Sequence, residues 1–280
     1  MSENPKLFAS RIQAELDEEL RALPLYVFDE VESTNDLAYQ FIAQSSQPIL
    51  AVLAETQTSG RGRRGRTWTS PKGTGLLLSV ALSFTHSDAV HYEEWPLLAA
   101  YVAHKVISDL TGVRAQIKWP NDILFAERKT CGILTELSST RDKRNLIVGF
   151  GINVNLKSTD LPPELRTKAT SLLEVTGREY DRNQLTAAIL TQMHLLRKQV
   201  LNGMRFSDLH ETWVAQCHTI GKHIRVAQGR DIIEGTAHSI DPLGVLLVVD
   251  DQGKLHRIVS GEILESHPFT HLPKEGVLPL

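Results

Sequence analysis

The segment GRGRRGR, residues 60–66, sets four arginines among three glycines. No acidic residue lies between Glu55 and Asp88, so Arg61, Arg63, Arg64, Arg66 and Lys72 make a positive window in a chain whose net charge is −3. Charge that is local rather than general argues against a nucleic-acid-coating surface and suits a site for one small anion. GRGRRG fits the dinucleotide pattern G-x-G-x-x-G, but that pattern needs a helix behind it and an acid about 20 residues on. Here RTWTSPKGTG follows without helical period, and no acid appears before Asp88. A Walker loop fails as well, because Lys72 is followed by Gly73 and lacks the required glycine spacing before it. RGG-like nucleic-acid patches sit in long, aromatic-interleaved sequence, whereas this loop is short and has only Trp68 nearby. A solvated charged turn explains the arginines but not the glycines. Glycine loosens backbone, and a loose cationic loop predicts a lid that orders when an anion arrives.

The elements that must carry this loop can be read on either side of it. ILAVLAE (49–55) and GLLLSVALSF (75–84) are apolar strands flanking the loop. Phe8, Ile12, Leu16 and Leu20 recur every four residues, which predicts an amphipathic helix over 5–22. A strand over 25–28 follows, then ESTND (32–36), whose Ser33, Thr34 or Asn35 can cap a helix through LAYQFIAQ. Residues 97–110 read as helix with Gly112 placed to stop it, and RAQIKW, DILF, GILTELS and LIVGFGINVN read as strands. Residues 181–217 return to helix; beyond Gly221 come short strands with glycine-containing turns. A boundary near 218–221 is expected, giving domains 1–218 and 219–280, the second a small β-barrel-like module.

A chain of 280 residues with 41% hydrophobic and 22% charged content has room for one large and one small globular domain. Two cysteines, Cys131 and Cys217, are too few for a disulfide framework or a four-ligand zinc site and read as buried thiols. The N-terminus lacks the pattern of a signal peptide, and no apolar run approaches the ~18 residues of a membrane span. A cytoplasmic protein without membrane attachment is expected.

Five motifs in order, ESTND, Q-x-x-GRGRRGR-x-W from Gln57 to Trp68, KWPND (118–122), ERKTCGILTEL (127–137) and GFGINVN (149–155), closely resemble the biotin protein ligases, the biotin–[acetyl-CoA-carboxylase] ligases. The likeness runs from about residue 25 to about residue 266, and VLLVVDDQGKLHRIVSGEI looks like the family's SH3-like domain. It implies an α+β fold: a mixed-sheet catalytic domain of the biotin/lipoate ligase type with a small C-terminal SH3-like β-barrel. It also implies activation of biotin by ATP with Mg²⁺, giving biotinyl-5′-AMP, then transfer to a lysine of a biotin carboxyl carrier protein. By the same match Lys129, Arg63 and Asp122 are catalytic, with Asp122 carrying the metal. Biotin is met by Ser33, Thr34, Asn35, Gln57, Arg61, Gly62, Arg63, Lys129, Gly132, Gly149 and Gly151. The nucleotide is met by Arg63, Trp68, Lys129 and Asn153. Trp119 reads as core, Lys118 and Asn121 as turn residues. The 24 residues before Leu25 are too few for a three-helix DNA-binding unit, so no specific DNA binding is expected; a homodimer is compatible with the family. A lipoate or octanoate ligase and a non-catalytic biotin-responsive regulator are the alternatives. GRGRRGRTW and the C-terminal module favour biotin, and Lys129 with Asp122 favours catalysis.

Overall fold

The structure is a computed structural model that describes residues 6–140 and 142–268. By packing, the chain divides into two units at Arg205/Phe206. The first holds seven strands in one sheet, ordered β1-β2-β3-β7-β6-β5-β4. These are β1 (Leu25–Val31), β2 (Ile49–Gln57), β3 (Gly75–Thr85), β4 (Gln116–Lys118), β5 (Asp122–Phe125), β6 (Arg128–Ser139) and β7 (Lys143–Asn153). Only β1 and β2 run parallel; the other pairs are antiparallel, so the sheet is mixed. The helices are α1 (Ala9–Ala14), α2 (Thr34–Gln44), α3 (Trp95–Thr111), α4 (Leu172–Thr176) and α5 (Arg182–Leu201).

The two faces of the sheet are covered unequally. α3 and α5 pack on one face, where strands β3 and β7 present Leu76, Leu78, Val80, Leu82, Val148, Phe150 and Ile152, all buried. α2 covers only part of the other face. Its Ala38 and Ile42, one turn apart, pack with Leu50, Val52, Ala81 and Ile147. Strand alternation continues that face past the helix as Ser79, Gly149, Gly151, Gly132, Leu134 and Glu136. Past the body of α2, the Trp68 indole and the Asn35 side chain lie on this face in place of helix.

Two helix expectations are corrected. The segment expected as one helix over 5–22 is α1 followed by a 3₁₀ turn at Glu18–Leu20. Ile12, Leu16 and Leu20 are buried as the spacing requires, but Phe8 is exposed. Glu15, Asp17, Glu18 and Glu19 crowd the end of the predicted helix, where the dipole disfavours negative charge. At its start, the Leu7 N–H is taken by Glu55 (2.8 Å) and the Phe8 N–H by Asn183 (2.9 Å). Likewise 181–217 is not one helix: α5 ends at Leu201, and Gly203, with φ +93°, turns the chain out of it.

The second unit begins with a 3₁₀ turn (Phe206–Asp208) and α6 (His210–Val214), whose Trp213 is buried beside Phe206. Its strands β8 (Lys222–Gln228), β9 (Asp231–Ile240), β10 (Leu246–Val249), β11 (Leu255–Ile258) and β12 (Glu262–Pro268) form an antiparallel sheet ordered β11-β10-β9-β8-β12. Among the described residues β11 and β12 do not pair, so the sheet is open rather than closed into a barrel.

One buried ion pair ties the roots of the arginine loop. Arg182, the first residue of α5, donates to Glu55 near the end of β2 (2.7 Å) and to the Gly75 carbonyl at the start of β3 (3.1 Å). Arg182 and Glu55 are almost wholly buried. Removing one member of such a pair strands the other charge away from water. Arg182→Met should therefore lower unfolding free energy by about 3 kcal/mol or more, read by urea denaturation. A loss below about 1 kcal/mol, the range of ordinary surface pairs, would show that the pair does not hold these strand ends.

Candidate active site

The floor of the site is bare backbone. Gly132 of β6 pairs with Gly151 of β7, and Asp122 of β5 pairs with Gly132, so a row crosses three strands. A Cβ on Gly151 would stand 2.4 Å from Trp68 Cε2, and one on Gly132 would stand 3.0 Å from Trp68 Cζ3. The indole of Trp68 thus lies directly on two facing glycines, an approach any side chain there would block.

Lys129 reaches this floor because β6 carries a bulge. Ile123 pairs with Cys131 but Leu124 pairs with Lys129, which leaves Thr130 as an extra residue. In a regular strand Lys129 and Gly132, three apart, would face opposite sides. The bulge reverses that parity and brings Lys129 Nζ to 2.9 Å from where a Gly132 Cβ would be. The ammonium is 2.7 Å from Asp122 Oδ1 and 5.4 Å from the Trp68 ring centroid. Its main chain is held too: the Lys129 N–H donates to Lys168 O (2.8 Å), and Thr170 N–H donates to Lys129 O (2.9 Å). Cys131, on the other side of the strand, is fully buried, and burial pushes its thiol well above the usual range, as for an inert core thiol.

A second row supplies neutral polar groups. Ser79 of β3 pairs with Gly149 of β7, and a Cβ on Gly149 would collide with Asn35 Oδ1 at 2.4 Å. This lets the N-terminal turn of α2 rest on the sheet. The Ser79 hydroxyl donates to Asn35 Oδ1 (2.6 Å) and lies 2.7 Å from Thr34 Oγ1. Thr34 donates to Gln57 Oε1 from its N–H (2.7 Å) and its hydroxyl (2.9 Å). Ser33 stands at the helix cap position and is buried, but its side chain does not cap the helix.

The arginine loop is a short closed turn. Trp68 N–H donates to Gly60 O (2.9 Å), Arg61 bridges Thr67, and Gly62 N–H donates to Arg66 O (2.7 Å). The tip turns through Arg64 and Gly65, with φ of 54° and 75°. Two of the loop's glycines have a steric reason to be there: a Cβ on Gly60 would meet Trp68 O at 2.4 Å, and Gly65 supplies a left-handed turn. Arg63 donates to Asn121 Oδ1 (3.0 Å), and Asn121 in turn donates to Ile133 O (2.6 Å). Burial pulls the Arg63 guanidinium below its ordinary range, opposed by the charge of Asp122.

Ser33, Thr34, Asn35, Gln57, Gly62, Arg63, Trp68, Asp122, Lys129, Gly132, Gly149 and Gly151 thus gather on or beside one sheet face. Arg61 and Asn153, expected to meet ligands, are likewise held by protein groups. Arg61 is held by Asp36 and Glu136, and Asn153 Nδ2 donates to Thr170 O (3.0 Å), bracing the segment behind Lys129. Trp119 is core, as read. Asn121 is a bridge to Arg63 as well as a turn residue. Sequence reasoning also passed over Ser79, although a serine inside an apolar strand is a usable signal, and Asp36 and Glu136, which sit within quoted motifs. Among the described residues no three His, Cys, Asp or Glu side chains cluster as a metal cage, and no helix is long and apolar enough to cross a membrane.

Known proteins resemble this chain in sequence and fold. Residues 27–153 match the biotin/lipoate A/B protein ligase family, and residues 219–264 match the biotin protein ligase C-terminal domain. The bifunctional ligase/repressor BirA of Bacillus spizizenii is 34% identical over 263 residues, covering 92% of this chain and 79% of that protein. A biotin–[acetyl-CoA-carboxylase] ligase of Mycobacterium tuberculosis is 29% identical, with 89% of each chain covered. The structure of an Aquifex aeolicus biotin protein ligase in complex with biotin and ATP superposes with a TM-score of 0.73 at 29% identity, covering 86% of this chain and 97% of that one. The chain belongs to the biotin protein ligase family.

Proposed function

We propose that this protein is an ATP-dependent biotin protein ligase acting on a biotin carboxyl carrier protein. The observation that carries the reading is the Lys129 ammonium, turned by a bulge onto a glycine floor under Trp68 and 2.7 Å from Asp122. The biotin carboxylate attacks the α-phosphate of ATP, forming the mixed anhydride and releasing pyrophosphate. The acceptor lysine amine then attacks the acyl carbon, an amide forms and AMP leaves. Both substrates are anions, and negative charge grows on the phosphoryl oxygens in the first step. Lys129 and Arg63 supply fixed positive charge there, and Lys129, a compact ammonium, can bridge carboxylate and phosphate. The hydroxyls and amides of Ser33, Thr34, Asn35 and Gln57 suit a neutral ureido ring, which wants partners without charge. Gly132, Gly149 and Gly151 let Trp68 and Asn35 lie against the sheet beside it, and Gly62 lies beside Arg63 in the loop. Trp68 and Asn153 stand on the nucleotide side.

Asp122 suits Mg²⁺ in one respect: that ion takes one or two carboxylates and completes its shell with phosphates and water. Such an ion would neutralise charge on the ATP phosphates. Residues 1–218 would carry the reaction and 219–280 the companion domain, with 206–218 packing into the C-terminal unit. A lipoate ligase is the alternative; pyrophosphate exchange driven by biotin and not by lipoate or octanoate separates the two.

Two variants test the assignment. Lys129→Ala should cut biotin-dependent ATP–pyrophosphate exchange by about 10²-fold or more with melting unchanged; near-normal exchange would remove Lys129 from the chemistry. Gly151→Ala should lift the Trp68 indole and weaken biotin binding by about 10-fold or more, measured by calorimetry alongside tryptophan fluorescence. Unaltered affinity would mean that the height of Trp68 above the glycines does not matter to biotin binding.

A further inference from the structure

Asp36 and Glu136 are drawn into none of the roles above, yet they meet at one guanidinium. Arg61 Nη1 donates to Asp36 Oδ2 (2.6 Å) and Nη2 to Asp36 Oδ1 (2.8 Å), a two-pronged grip. The same Nη2 lies 3.1 Å from Glu136 Oε2 and 3.2 Å from Oε1. Asn35 Nδ2 also donates to Glu136 Oε2, at 2.6 Å. Three separate pieces of chain, the first turn of α2, the arginine loop and β6, are therefore joined through Arg61. Its hydrogen bonds with Asp36 hold the guanidinium pKa above its ordinary range.

Two carboxylates around one cation leave a local charge of −1, which is poor company for an incoming carboxylate. Arg61 is thus better suited to holding the loop than to receiving an anion. Its backbone bridges Thr67, and the next rung joins Gly60 to Trp68. A grip on the Arg61 side chain is therefore a grip on the stem that sets the indole over Gly132 and Gly151.

We propose that Asp36 and Glu136 are positioning residues of this site: through Arg61 they fix the stem of the arginine loop and hold Trp68 at its height above the glycine floor. The part of this that concerns biotin rests on the ligase reading; the grip on the loop does not. The three side chains are 40–48% exposed, so the contact is sensitive to salt and modest in strength.

Limited trypsin digestion of the ligand-free protein reads the grip directly, because cleavage after Arg61 requires the stem to open. Asp36→Asn should quicken that cleavage about 5-fold, and Asp36→Asn/Glu136→Gln should quicken it further. Salt at 1 M should speed it in the wild type but not in the double variant. Melting should not change. In biotin-dependent pyrophosphate exchange, Asp36→Asn should raise the KM for biotin about 5-fold with kcat within about two-fold, the mark of lost positioning rather than lost chemistry. Unchanged cleavage in the double variant overturns the proposal, as does a fall in kcat with KM unmoved. Absence of biotin-driven exchange in the wild type would instead fail the ligase reading, and the cleavage ratio would still decide whether these carboxylates hold the loop.

Discussion

The site depends on the absence of side chains at one spot on a packed sheet. Gly132 and Gly151 face each other across β6 and β7, and Gly149 continues the bare strip beneath Asn35. Everything else is arranged around that strip. Trp68 can lie on it, α2 can bring its polar first turn down to it, and Lys129 can cross it. Because β3, β6 and β7 are hydrogen-bonded along their length and backed by α3 and α5, the floor has little freedom to rise or sag.

The polar half is a network built on the strip and tied to Glu136 through Asn35 Nδ2. Ser79, Thr34, Asn35 and Gln57 satisfy one another in the region where α2 begins. A network of this kind keeps donors and acceptors at fixed positions. The charged half lies toward β5 and the loop, where Lys129, Asp122 and Arg63 are grouped. Division into a neutral end and a charged end suits a substrate with an uncharged ring and a reactive carboxylate.

The strands around the site were legible in the sequence because apolar runs such as ILAVLAE and GLLLSVALSF are long enough to be unambiguous. The helix ends were less so. Acidic crowding at Glu15–Glu19 and the left-handed Gly203 decided α1 and α5 locally, against the longer periodic pattern. The motifs hold residues that the fold brings to one sheet face, but do not tell what several of them touch. Asn153 and Arg61 carry protein contacts that no spacing rule announces, because their partners are contributed by distant segments. The grouping of Arg182 with Glu55 was equally hidden: the two are far apart in sequence and meet only when α5 lies under the sheet.

The bulge at Thr130 makes β6 a strand whose length matters more than its composition. Replacing a residue in such a strand alters one contact and leaves the others standing. Adding or deleting one between Lys129 and Cys131 would turn the ammonium to the helix-covered side while Cys131 and Gly132 kept their places. Natural variation in this short interval should therefore proceed by exchange of residue type and very seldom by insertion or deletion, even where the surrounding loops grow and shrink freely.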